Sequence, residues 1–170
     1  MNALKEGKEI NLEQAFNHGT EINLRLPALI PDDYLPDVHT RLTFYKRIAS
    51  AKGNDKLREL QVEMIDRFGL LPQAVKNLFR VTLLKGIAQR VGISKIEGSD
   101  NGGRFEFAES TQVEPMALIQ LVQSQPATYK LAGATALRFE VPLEDREQRF
   151  EFIEQLIINL TPDNLKSDAA

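Results

Sequence analysis

At Gly92 the hydrophobic pattern of this chain changes period. Upstream, between about Asp37 and Val91, apolar residues recur at helical spacing; downstream, Ile93–Ser94–Lys95–Ile96 and Arg104–Phe105–Glu106–Phe107 take on strand character. A period near 3.6 buries one stripe of a helix, and a period of two buries one face of a strand. Runs of helices beside a small, largely hairpin-built sheet predict an α+β fold: a small, mainly antiparallel or mixed sheet packed against several helices. The 170 residues suit one domain with a single core.

Local signals divide the chain further. Residues 1–20 are polar and poorly periodic, and read as a linker; residues 21–162 form the folded domain, and 163–170 a flexible polar tail. Glu21 to Leu26 alternates, with Ile22, Leu24 and Leu26 on one face of a strand. Pro27, Pro31 and Pro36 then hold an extended connection. Val38, Leu42, Tyr45 and Ala49 form the inward stripe of a helix over about Asp37–Ala51. A second helix, about Asp55–Phe68, buries Leu57, Leu60, Met64 and Phe68, and Gly69 caps it. A third, about Pro72–Val91, is apolar around most of its axis and should be central. Gly98 to Gly103 makes a loose hairpin connection, followed by a short helix near Pro115–Gln123, a strand near Leu137–Val141 and a last helix over about Leu143–Leu160.

Composition removes several function classes. The formal charge is −3, which does not favour an autonomous nucleic-acid binder. There are no cysteines and two histidines, His18 and His39, so thiolate metal sites and histidine clusters are excluded. No phosphate-binding loop, G-x-S-x-G or H-E-x-x-H pattern occurs, and the glycine cluster joins strands instead of opening a helix. The reading is of no catalytic residues, no cofactor and no metal. Asp32 and Asp33, beside prolines, read as turn and cap residues; His39 reads as an ordinary helix histidine. The N-terminus lacks a secretory apolar core and no segment is long and apolar enough to span a membrane, so a cytoplasmic location is expected. Lys76, Arg80 and Arg90 share an arc of the third helix and define an alternative reading, an accessory nucleic-acid-binding domain.

The second helix holds the feature least explained by folding alone. With Asp55 at zero, Asp66 falls at roughly 20°, Glu59 at roughly 40° and Glu63 at roughly 80°, opposite the apolar stripe at roughly 140–220°. Asp55/Glu59 and Glu59/Glu63 are like-charge i, i+4 pairs costing about 0.2–0.5 kcal/mol each. The helix dipole accounts for Asp55 and Glu59 near the N-terminus, but not for Asp66 near the other end. Two readings stand: a solvated face, which spacing alone favours, or a surface held for a partner's cations.

Two blocks bear on that choice. Leu29–Ile30–Pro31–Asp32–Asp33–Tyr34–Leu35–Pro36–Asp37–Val38, running into Arg41–Leu42–Thr43–Phe44–Tyr45–Lys46–Arg47–Ile48–Ala49, resembles the C-terminal domain of the transcription-repair coupling factor family. Glu63–Met64–Ile65–Asp66–Arg67–Phe68–Gly69–Leu70–Leu71–Pro72 does too, and the similarity extends from about Glu21 to Leu160. Residues 1–20 resemble the linker that leaves the family's helicase motor. The full-length family protein is an ATP-driven DNA translocase that displaces stalled RNA polymerase and recruits UvrA in nucleotide excision repair. Its motor motifs, polymerase-binding module and UvrB-like region are absent from this sequence. The resemblance therefore implies a regulatory role: a lid folded on the UvrB-like domain of the same polypeptide, hiding the UvrA-binding surface until polymerase is engaged. UvrA and RNA polymerase would then be indirect partners, and DNA a partner of the motor only. The family's contact uses a Glu and an Asp that match Glu63 and Asp66; Glu59 and Asp55 are added from the wheel alone.

Overall fold

The computed structural model describes residues 19–166, so the expectations for the linker before Gly19 and for the tail beyond Lys166 lie outside the described residues. The elements are β1 (Glu21–Asn23), α1 (Val38–Ser50), α2 (Asn54–Phe68), α3 (Gln73–Val91), β2 (Ile93–Ser99), β3 (Gly102–Phe107), α4 (Pro115–Ser124), β4 (Tyr129–Ala132), β5 (Ala136–Glu140), α5 (Arg146–Leu160) and a short turn of helix, α6 (Asp163–Lys166). The sheet runs β1-β2-β3-β5-β4, parallel between β1 and β2 and antiparallel elsewhere. The fold is α+β with a mixed sheet, as the change of period predicts.

Contacts divide the chain into two compact units. The first holds residues 27–83 and the second residues 19–26 and 84 onward, with the boundary inside α3.

In the first unit, α1 starts because the Asp37 carboxylate accepts the Thr40 N–H at 3.0 Å, an N-cap. Its buried residues are Phe44 and Ile48, whereas Val38 is 56% exposed and Ala49 is exposed. The expected Val38–Leu42–Tyr45–Ala49 stripe is therefore rotated by about one residue, roughly 100°. The larger Phe44 and Ile48 remove more apolar area from water than Val38 and Ala49 could. In α2, Leu57, Leu60 and Met64 are buried as predicted, and Phe68 is half-buried. Phe68 meets Phe44 and Tyr34 edge-on, with ring centroids 5.6 and 6.0 Å away. Gly69, at φ 100°, ends the helix and donates its N–H to the Ile65 carbonyl at 3.0 Å. The Tyr34 hydroxyl donates to the Gly69 carbonyl at 2.8 Å, fixing that end of α2. Val75, Leu78 and Phe79 of α3 complete this core. Asn77, buried among them, is satisfied by donating to the Pro27 carbonyl and accepting from Gln73.

In the second unit, Ile96, Phe105, Leu137 and Phe139 make the buried face of the sheet, and α5 contributes Phe150, Ile153, Leu156, Ile157 and Leu160 to the core. Gly98 lets α5 approach β2: a Cβ there would sit 2.9 Å from Ile153 Cδ1. Four expectations need correction. The glycine-rich connection is tight, because Ser99 pairs with Gly102 and only Asp100 and Asn101 turn the chain. A further strand, β4, precedes β5 and makes a second hairpin. The first strand stops at Asn23, since Arg25 takes φ 54°, outside extended geometry. The last helix begins at Arg146, capped by Asp145, while the Leu143 N–H is taken by the Asp100 carbonyl at 2.7 Å.

One charged side chain stitches this unit together. The Arg149 side chain is 2% exposed; it donates to the Leu143 carbonyl at 3.0 Å and to the Leu24 carbonyl at 2.7 Å, and pairs with the Asp100 carboxylate. The end of β1, the β2–β3 turn and the entry to α5 all meet on one guanidinium. Five donors in a fixed fork make arginine suited to this.

Candidate functional site

The outer face of α2 carries the acidic residues singled out above, and the packing of Leu57, Leu60 and Met64 is what turns them outward. The four carboxylates occupy different electrostatic settings. Asp55 and Asp66 are exposed and enter no ion pair among the described residues. Glu59 meets Lys56 at 3.3 Å, with both side chains about two-thirds exposed, an arrangement worth little in water.

Glu63 differs. Arg47 of α1 grips it with both guanidinium nitrogens, at 2.6 and 2.7 Å, and Arg67 adds a longer contact at 3.4 Å. The hydrogen bonds from Arg47 hold the Glu63 carboxyl below its usual range, with the charge of Arg47 and the contact from Arg67 adding to the effect. Both guanidiniums lie over aromatic rings: Arg47 is 5.0 Å from the Phe44 centroid, and Arg67 is 5.4 Å from Phe44 and 4.9 Å from Phe68. The expectation of one continuous negative column gives way to a mixed face, in which Glu63 is neutralised by this chain's own arginines, while Asp55 and Asp66 enter no ion pair among the described residues. The i, i+4 pairing of Glu63 with Arg67 was legible from spacing; the Arg47 fork required the packing of α1 on α2.

Sequence reasoning also missed apolar residues on the outside. Val62 is 58%, Ile65 39% and Leu70 85% exposed. Val62 and Ile65 lie within about 100° of Asp66 on the helix, on the side away from Glu63. An unpaired carboxylate beside exposed branched side chains is a surface able to take a cation with an apolar surround. A groove of about 570 Å³, lined by Arg47, Lys52, Lys56, Glu59 and Glu63 among others, borders the opposite side of the column.

The other candidates do not assemble. Lys76 is exposed, but Arg80 and Arg90 are already engaged within the molecule. His39, Asp32 and Asp33 are exposed, and no group of three or more His, Cys, Asp or Glu able to hold a metal occurs among the described residues. No helix among the described residues is long and apolar enough to cross a membrane.

Comparison with known proteins agrees with this α+β arrangement. Residues 24–118 match the TRCF domain family, which includes α1, α2 and the acidic face. This chain belongs to the TRCF domain family. It is 49% identical over 94% of its length to the transcription-repair-coupling factor of Escherichia coli (strain K12), and 46% identical over 91% to that of Haemophilus influenzae. The chain spans 14% of the length of each of these relatives. A solved structure titled as the C-terminal domain of a transcription-repair coupling factor is similar, with a TM-score of 0.66, 27% identity, and coverage of 84% of this chain and 89% of that one.

Proposed function

We propose that this chain is a non-catalytic regulatory domain of a transcription-repair coupling factor, acting as an autoinhibitory lid on the UvrB-like domain of the same polypeptide. In this reading the lid masks the UvrA-binding surface until RNA polymerase is engaged, and the ATP-driven translocation on DNA belongs to other parts of the protein. The observation that carries the reading is Asp66, an exposed carboxylate without an ion-pair partner among the described residues, flanked by exposed Val62 and Ile65. Glu63, Glu59 and Asp55 extend the surface, with Glu63 arriving as part of the Arg47–Glu63–Arg67 array.

The strength needed is small. A lid closed about 99% of the time requires about 2.7 kcal/mol. A tethered partner at roughly millimolar effective concentration reaches this with an intrinsic Kd of about 10 µM. Exposed ion pairs supply about 0.2–1 kcal/mol each, so the charges set register and salt sensitivity while the apolar rim supplies much of the remainder.

The test is a calorimetric titration of this chain against the parent's UvrB-like domain at two salt concentrations. Wild type should bind weakly, and less well in high salt; Glu63→Lys with Asp66→Lys should remove binding while leaving the circular dichroism spectrum unchanged. An unaltered affinity in the double variant would sink the site.

A further inference from the structure

The second unit carries a charge pattern that its own fold does not account for. Side chains that pair across strands point to the same side of a sheet, so the register places Glu97, Arg104, Arg138 and Lys130 in one row across β2, β3, β5 and β4. Ile96, Phe105 and Leu137 occupy the opposite, buried face. Within the row Arg138 stands directly between Arg104 and Lys130, and like charges directly opposite each other destabilise a sheet. Toward β2 the charges are balanced: Lys95 meets Glu97 at 3.0 Å, and Arg104 meets Glu106 at 3.2 Å. Toward the β4 edge they are not, since Arg138 and Lys130 are exposed and enter no ion pair among the described residues.

Two further observations point to a missing acceptor. The Arg104 Nε is shielded from solvent and has no hydrogen-bond partner among the described residues. Beside it lies a depression of about 520 Å³, floored by Gly102 and Gly103 and walled by Arg104, Arg138, Glu97 and Glu140. At Gly102 a Cβ would meet the Phe139 carbonyl, and at Gly103 the Glu97 carbonyl and the Phe139 ring, so the strands close there without side chains. The flanking Glu97 and Glu140 matter as much as the arginines, because they would repel the closely spaced phosphates of a nucleic acid. Single carboxylates set between the cations would instead complete an alternation of sign across the sheet.

We propose that the outer face of β3, β5 and β4 is a docking surface for an acidic protein segment, whose Asp or Glu side chains sit against Arg104, Arg138 and Lys130. The inference is independent of the reading given to α2, since it uses different residues in the other unit.

It can be tested on this chain with a blocked peptide of alternating glutamate and glycine, followed by amide chemical-shift mapping at low salt. Shifts should concentrate on β3, β5 and β4. Arg138→Glu should weaken binding by about tenfold or more. Arg138→Ala should also weaken it while leaving the melting temperature unchanged or raised, because a like-charge contact is relieved. The proposal is overturned by an absence of shifts on these strands, by tighter binding of a DNA oligonucleotide of equal charge, or by a lowered melting temperature in Arg138→Ala, which would make the arginine a structural partner.

Discussion

Two arginine–carboxylate clusters among the described residues, around Glu63 and around Arg149, are built from the same groups and do opposite work. Around Glu63, the side chains of Arg47, Arg67 and Glu63 are 42%, 50% and 35% exposed, and water competes for every contact. Around Arg149, the guanidinium is 2% exposed and two of its acceptors are backbone carbonyls. Backbone carbonyls cannot swing away, and a buried cation cannot change partner without passing through an unpaired state that water does not relieve. The first cluster is therefore replaceable and available to a partner, while the second is a fixed structural joint.

The comparison is most exposed to failure at Arg149. Arg149→Met should cost about 2–4 kcal/mol, because it orphans the Leu24 and Leu143 carbonyls and frees Asp100. Urea unfolding measures it, and a loss under about 1 kcal/mol would put this joint in the same class as a surface pair. Asp100→Ala should cost less, about 1–2 kcal/mol, since both carbonyl bonds persist. Glu63→Gln should cost about 1 kcal/mol at most. Its sign with pH is fixed: Arg47 lowers the folded-state pKa of Glu63, so the contribution is present above the unfolded value and fades as pH falls through the folded one. Wild type and Glu63→Gln should thus converge in stability at acid pH and in high salt, and curves that stay parallel would remove Glu63 from the account. Asp66→Asn should leave stability unchanged within about 0.5 kcal/mol, any effect being confined to partner binding.

How much of this could be read in the sequence depends on whether a signal is periodic or spatial. The core stripe of α2, the Gly69 cap and the alternation of β3 are local, and each is placed correctly by spacing, whereas in β2 a register shift between Ile93 and Lys95 buries both Ile93 and Ile96. The outward direction of Asp66 followed from the same stripe. β4 was missed because four residues, Tyr129 to Ala132, give barely one alternation, and Gly133 at φ 69° turns the chain straight into β5. The face of α1 was misjudged because two apolar i, i+4 series run side by side, and only the partner helix decides between them. Arg149 reads as a polar helix residue, and nothing in its neighbours announces that it points inward. The Arg47 fork joins residues 16 apart in sequence on two helices, so no spacing rule reaches it.

The aromatic seat beneath Arg47 and Arg67 has a consequence for how the proposed lid would close and be released. Both guanidiniums already lie over Phe44 or Phe68, which restricts their rotamers whichever anion they hold. If an incoming cation drew Glu63 aside, the two arginines would keep their places over the rings, and Arg67 over Phe44 would still join α2 to α1. The carboxylate can be traded from one holder to another at little entropic cost, and the trade can be reversed as readily.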